Sequence, residues 1–379
     1  MAGLYLHIPF CKQACHYCDF HFSTQLKQRD AVLEALLMEI AFQKDYLLGA
    51  PLSSVYFGGG TPSLLTEKEL EAIFSTIYKH FQVEKEAEIT LEANPDDLDL
   101  YTLNVLHESP VNRLSIGIQS FREEDLRFMN RAHQVEQARD CLRLAKEVGF
   151  EKLTADLIYA LPNMTDADWV QNLDELLQYD LPHFSAYALT VEAKTALHTF
   201  VKEGKIQPAS DADQKRQFDL LIDMAISRGY EHYEISNFAK PGQRAQHNSS
   251  YWKAQPYLGI GPSAHSFNGH SRQWNISNNT KYVRALAEGE LPATVEQLTT
   301  FDQLNELLLT GLRTADGVNL RAMERRFGAK LVQEVRTGLL DLKDDWYQLR
   351  NDQLTLTRSG KHFADLIASD LFILADDDN

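Results

Sequence analysis

The chain has 379 residues, with 37 Lys and Arg against 54 Asp and Glu, a formal net charge of −17. That balance excludes an overall electrostatic attraction to nucleic acid or anionic lipid, though not a local basic patch. A 44% hydrophobic and 24% charged composition is that of a soluble globular protein long enough for more than one domain, and four cysteines exclude a secreted disulfide scaffold.

The start, "MAGLYLHIPF", lacks a basic n-region, and no run of about 18 apolar residues follows. Neither a signal peptide nor a membrane-spanning helix is expected, and the expected compartment is the cytoplasm. Strands are predicted at 3–9, 53–59, 88–94, 112–120, 152–161, 183–190 and 231–238. Helices are predicted at 31–47, 66–81, 134–150 and near 166–178 and 211–228, with Thr66 and Glu69 in capping-box positions. About seven strands separated by helices imply parallel βαβ units with right-handed crossovers. The expected fold is α/β, a complete or partial TIM-like barrel over 1–238, with a doubly wound open sheet as the alternative. Residues 239–299 read as an irregular connecting segment, rich in Gly, Pro, Asn, Ser and His in its first forty residues. In 300–379, two helices and a hairpin turning at Asn351-Asp352 suggest a small winged-helix-like α+β domain, ending in a solvated "DDDN" tail. Its ten Lys and Arg against fourteen Asp and Glu disfavour a DNA phosphate footprint.

Three of the four cysteines fall in one loop after the first strand, spaced C-x3-C-x2-C at Cys11, Cys15 and Cys18. Three thiolates can hold three irons of a cubane cluster and leave the fourth open. His16, His7 or His21 could instead complete a four-ligand zinc site, which would suit a zinc-binding regulator. Cys141 lies in an amphipathic helical pattern and reads as a packed core thiol.

"YLHIPFCKQACHYCDF" resembles the cluster loop of radical S-adenosylmethionine (radical SAM) proteins. More closely it resembles the branch that holds oxygen-independent coproporphyrinogen III oxidases and the HemW heme chaperones. Ordered motifs carry the resemblance over nearly the whole chain. It implies a [4Fe-4S] cluster on Cys11, Cys15 and Cys18, and SAM beside it. In "FGGGTPS", Gly58, Gly59, Gly60 and Thr61 would meet the methionine amino group. Arg131 in "MNRAH" would pair with the methionine carboxylate, which suits a planar guanidinium. Gln119 in "IGIQSF" and Asp156 in "ADLIYALP" would hold the ribose hydroxyls, with Glu92 of "LEANP" at the same mouth and Tyr5 beside cluster and SAM. One electron from an outside donor, which the sequence does not name, would then cleave the sulfonium to a 5′-deoxyadenosyl radical.

Two features separate the branches. The oxidase loop carries a further cysteine where this chain has Phe20. "QHNSSYW" matches the H-N-x-x-Y pattern linked in HemW proteins to heme, placing His247, Asn248 and Tyr251 as heme residues. Of these, His247 is the better axial ligand, Trp252 can stack on a porphyrin, and His265 in "GIGPSAHSF" is a spare ligand. The resemblance thus implies a heme chaperone that passes heme to apo-hemoproteins such as respiratory enzymes, with peripheral membrane association among its expected contacts and nucleic acid absent from them. Oxidative decarboxylation of coproporphyrinogen III is the alternative.

Overall fold

The computed structural model describes residues 2–374, so the acidic "DDDN" tail lies outside them. Six parallel strands form the centre: β1 (Ala2–Ile8), β2 (Leu52–Gly59), β3 (Val83–Ala93), β4 (Arg113–Gln119), β5 (Lys152–Tyr159) and β6 (His183–Ala188). Helices Arg29–Phe42, Glu67–His80, Leu100–Glu108, Val135–Val148 and Asp166–Gln178 connect them. The capping box at Thr66 and Glu69 opens the second of these, each side chain bonding the other residue's backbone N–H. The short Leu100–Glu108 helix, absent from the sequence reading, is started by Asp99, which accepts from the Thr102 N–H.

Side chains on a strand alternate faces. Here the outward face is apolar and packs on the helices, with Leu4, Leu6, Val55, Phe57, Leu91, Ile116, Leu157 and Phe184 all buried in one core. The inward face is polar: Tyr5 and His7, Tyr56, Glu88, Thr90 and Glu92, Arg113 and Ser115, Thr154 and Asp156, His183 and Ser185. The barrel interior is therefore a stack of mostly buried hydrogen-bonding groups.

β1 and β6 do not pair, so the barrel is partial and the sheet continues past both edges. Its order runs Ala293–Gln297, Ser271–Asn275, His265–Phe267, Tyr257–Ile260, then β1 to β6 in turn, then Asn237–Ala239 and Glu231–Glu234. "EHYEISNF", expected as one strand, is two: β7 (Glu231–Glu234) and β8 (Asn237–Ala239), an antiparallel pair lying against β6. The expected irregular segment is also regular in large part. It holds the helix Gln246–Trp252, then β9 (Tyr257–Ile260), β10 (His265–Phe267), β11 (Ser271–Asn275), the helix Asn279–Ala287 and β12 (Ala293–Gln297). β9 runs parallel to β1, and β10 to β12 turn back as an antiparallel wing. Its short strands and turn-rich composition hide the pattern. A single carboxylate fixes the wing: Glu39, fully buried, accepts from Asn275 Nδ2 at 2.7 Å, Tyr282 OH at 2.5 Å, Gly261 N at 2.8 Å and Gln43 Nε2 at 2.8 Å.

A second core lies in helices Thr300–Leu312, Leu320–Phe327, Ala329–Gly338 and Ala364–Asp370, with the sheet β13 (Val318–Asn319), β15 (Gln353–Leu356), β14 (Tyr347–Arg350). The β14–β15 turn is the expected one: Asn351 and Asp352 both have positive φ, 52° and 63°, as a two-residue primed turn requires.

Candidate functional site

The cysteine loop leaves the C-terminal end of β1, where barrels of this kind carry their chemistry. It is tied down by backbone bonds from Gly60 N to Ile8 O (2.9 Å) and Thr61 N to Phe10 O (2.7 Å). The Gly58–Gly60 turn thus holds the loop as well as bordering the cavity. Gly59 needs its lack of a side chain twice over: its φ is +100°, and a Cβ there would lie 2.5 Å from the His7 ring.

Cys11, Cys15 and Cys18 line a cavity of about 400 Å³. Gly59, Gly60, Thr61, Glu92, Gln119, Arg131 and Asp156 line it too, so seven of the nine residues expected at the SAM site meet around the three thiols. Tyr5 and Gly58 stand behind this lining. A Cβ on Gly58 would touch Tyr56, Tyr5 and Glu92, and the Tyr5 hydroxyl is 3.2 Å from His7 Nδ1. Burial pushes the thiols of Cys11 and Cys18 up, the latter to about 12, so the loop favours thiolates only when a positive centre joins it.

The imidazoles weighed as a fourth zinc ligand face elsewhere. His16 Nδ1 donates to Phe128 O (2.8 Å) against the edge of Phe200, His7 Nε2 donates to His21 O (2.7 Å), and His21 Nε2 donates to Asn279 Oδ1 (2.7 Å). None of them lines the cavity. Cys141 is buried in the Val135–Val148 helix, as a core thiol should be.

Arg131 is the cavity's cation. Nη1 reaches Cys15 Sγ at 3.3 Å, and Nη2 donates to Asn94 Oδ1 at 2.6 Å and Gly117 O at 3.0 Å, while the buried Nε has no partner. An orphaned donor beside three thiols fits an anionic group that completes the site. Glu92 and Asp156 line the same cavity. Glu92 accepts from Tyr56 OH at 2.7 Å, and Asp156 from Ser115 Oγ at 3.0 Å. Burial, with Asp156 near, pushes Glu92 up to about 7; burial raises Asp156 as well. A cation-bearing ligand would offset both. Asn94, which sequence reasoning did not single out, orients Arg131 and donates to Thr61 Oγ1 at 3.1 Å. It lies two residues after Glu92 in the quoted "LEANP", the only signal that could have marked it.

The H-N-x-x-Y residues fall at the other end of the barrel. His247 is 1% exposed; its Nδ1 lies 2.8 Å from Ser54 Oγ, its Nε2 2.9 Å from Tyr251 OH, and its ring stacks on Tyr56 at 4.9 Å. Glu88 accepts from the backbone N–H of Gln246 and His247. Burial drives His247 down to about 3, so it is neutral. Asn248 is half-buried on the same helix, and Trp252 lies under Arg313 at 5.4 Å. The helix thus plugs the base of the barrel, and an axial bond from His247 to iron requires one of its two hydrogen bonds to break.

The description "Radical SAM superfamily" matches residues 5–176, and "HemN C-terminal domain" matches 298–363. Proteins described as "Heme chaperone HemW" are 33% identical in Bacillus subtilis, over 91% of this chain and 92% of the relative, and 35% identical in Lactococcus lactis, over 95% and 93%. The chain belongs to the HemW family of radical SAM proteins. Among solved structures, the coproporphyrinogen III oxidase HemN of Escherichia coli superposes with a TM-score of 0.84 at 23% identity, over 98% of this chain and 90% of that one. At that identity the likeness concerns the fold, which HemN and this HemW-family chain share from the barrel through the C-terminal domain. No helix among the described residues is long and apolar enough to cross a membrane.

Proposed function

We propose that this chain is a heme chaperone that carries a [4Fe-4S] cluster on Cys11, Cys15 and Cys18, binds SAM in the adjoining cavity, and passes heme to apo-hemoproteins such as respiratory enzymes. The observation that carries the cofactor reading is the single cavity lined by three free thiols together with Arg131, Glu92, Gln119 and Asp156. Membership of a family whose relatives are described as heme chaperones carries the rest.

Each residue has a defined task in this reading. Cys11, Cys15 and Cys18 would hold three irons of the cluster, and the fourth would be left for an amino acid's amine and carboxylate. Arg131 turns its unpartnered Nε and its guanidinium plane to the carboxylate. Gly59, Gly60 and Thr61 border the amino group, Gln119 and Asp156 bond ribose hydroxyls, and Glu92 sets a carboxyl at the same mouth. The cluster and SAM, when bound, supply one-electron cleavage of a sulfonium bond, while the polar interior positions them and the loop shields them. The site residues are compatible with this chemistry, yet Phe20, 66% exposed where the oxidase loop has its further cysteine, favours the chaperone over the oxidase.

An anaerobic absorption spectrum of cluster-loaded protein, before and after heme addition, tests the proposal. Cluster absorption followed by a saturable heme band is expected. Protein that holds iron and sulfide but never retains heme would sink the chaperone reading. Formation of protoporphyrinogen from coproporphyrinogen III with SAM and reductant would establish the oxidase instead.

A further inference from the structure

The short helix Glu123–Phe128 ends against the cysteine loop, and its end carries a left-handed residue, Asn130, with φ +56°. Asn130 N donates to Arg127 O at 3.1 Å and Arg131 N to Leu126 O at 2.9 Å, the bond pair of a Schellman helix end. Glycine is the residue such a position favours, because it has no Cβ to crowd the backbone. Asparagine stands there instead, and its side chain is fully used. Nδ2 donates to Ala14 O at 2.7 Å, and Oδ1 accepts from Gln13 Nε2 at 2.9 Å. The same Nε2 also donates to the Asn130 carbonyl at 2.9 Å. His16 N donates to Met129 O at 3.0 Å and His16 Nδ1 to Phe128 O at 2.8 Å. Residues 128–130 thus hold residues 13, 14 and 16, on both sides of Cys15. The next residue is Arg131, whose Nη2 is fixed on Asn94 and Gly117.

We propose that Asn130 and Gln13 are positioning residues that set Arg131 against the cluster loop, so that one methionine group can be held by the open iron and by the guanidinium at once. The proposal rests on the cluster and SAM reading above. A ligand gripped at two points needs a fixed span between them, and small misplacements cost much of the binding. Here the two points belong to Cys15 and Arg131, which lie 116 residues apart in the chain. The Gln13–Asn130 bonds link them one residue from Arg131 and two residues from both Cys11 and Cys15. Holding the loop as such does not need these bonds. His16 stays on Phe128 and Met129, Leu197 N donates to His16 O at 2.8 Å, and Lys12 pairs with Asp96 at 3.0 Å and with Asp97. Capping the helix does not need them either, since glycine would serve there as well. What remains for the asparagine side chain is the placement of one part of the site relative to the other.

The test is anaerobic SAM binding to the cluster-loaded full chain as wild type, Asn130→Gly, Gln13→Ala and the double variant. Affinity is read by calorimetry, and the SAM-induced change in the reduced cluster by electron paramagnetic resonance. Iron and sulfide content and the unfolding midpoint are the controls. Asn130→Gly keeps the left-handed backbone and removes only the side chain, so iron and sulfide should stay at the wild-type level and the midpoint should not fall. SAM should nevertheless bind at least about tenfold more weakly, with an altered SAM-induced spectrum. Gln13→Ala should act in the same direction, and the double variant should add little to Asn130→Gly because the two residues share their bonds. Wild-type affinity and spectrum in both single variants would overturn the clasp, as would full additivity of the two. Loss of iron and sulfide or a lower midpoint in Asn130→Gly would make the bonds purely structural and reject the positioning role. Cluster-loaded wild type that binds no SAM would overturn the SAM reading and the proposal with it.

Discussion

Glu92 illustrates how one side chain links sequence to chemistry. Its folded-state pKa, about 7, lies above the ordinary carboxylate value, first from burial and then from Asp156. A carboxyl raised in this way contributes stability that is full below about 4.5 and lost as pH rises through 7. In the proposed complex the SAM sulfonium, a fixed positive charge in the same cavity, favours the ionised form, so binding releases a proton in that window. SAM affinity is therefore expected to rise from pH 6 to 8 in wild type and to be weaker and flatter in Glu92→Gln, measured by calorimetry in buffers of different ionisation enthalpy. Equal proton release in both proteins would remove Glu92 from the ligand's positive charge. For the cluster, Ser at Cys11, Cys15 or Cys18 is expected to abolish stoichiometric iron and sulfide, whereas Cys141→Ala keeps both and loses only about 1–2 kcal/mol of stability from a small core cavity. Retention of full iron and sulfide by the triple Ser variant would refute the cluster site. At this scale much of the site was legible in the sequence, because strand ends and a crowded thiol loop mark chemistry by position. Tyr5 and Gly58 fall behind the lining, since period-2 alternation gives the face of a strand residue but not its depth.

Among the elements, the helix Gln246–Trp252 is the one whose role the sequence left most open. H-N-x-x-Y names residues that bind iron in principle, but i to i+4 spacing on a helix also brings His247 and Tyr251 together as partners of each other. Ser54 and Glu88, which decide between the two, come from β2 and β3, more than 150 residues earlier in the chain. The same holds for the wing, whose strands β9 to β12 depend on Glu39 in the first long helix. Local periodicity cannot reveal either. As a brace, His247→Ala should cost about 2–4 kcal/mol, from two lost hydrogen bonds and a cavity, and Tyr251→Phe about 1 kcal/mol, measured by denaturant unfolding. Because the His247 pKa is depressed to about 3, its contribution is complete above 6.5 and lost as pH falls through that range. His247→Asn should therefore flatten the acid side of the stability profile between pH 6.5 and 3. An unchanged profile, with unfolding midpoints within error, would show that the helix does not need this ring.

At the scale of the molecule, two cores are joined by contacts of unequal kind. One is a backbone and charge junction around Arg313: Ile235 N donates to Arg313 O at 3.0 Å and Ala315 N to Tyr233 O at 2.9 Å, while the guanidinium lies 3.6 Å from Glu234, 1% exposed, and covers Trp252. The other is a surface clamp, Arg358 on Asp219 at 2.7 Å and on Asp223 at 2.5 Å, all three partly exposed. Exposed pairs are worth about 0–1 kcal/mol and are screened by salt, whereas a buried acid left without its cation costs more. Asn237 and Ser236 also donate to Glu234, and burial raises its pKa, so protonation caps the loss. Arg313→Ala is accordingly expected to destabilise by about 1–3 kcal/mol at both low and high salt. Arg358→Ala should cost about 1 kcal/mol or less, an effect that fades near 1 M salt. Limited proteolysis of the link at 288–300 reads the same hierarchy, with release of the C-terminal domain faster in Arg313→Ala than in Arg358→Ala. If the order reversed, the surface clamp would be the true hinge pin, and docking of the second core on the barrel would be an electrostatic, salt-tunable contact.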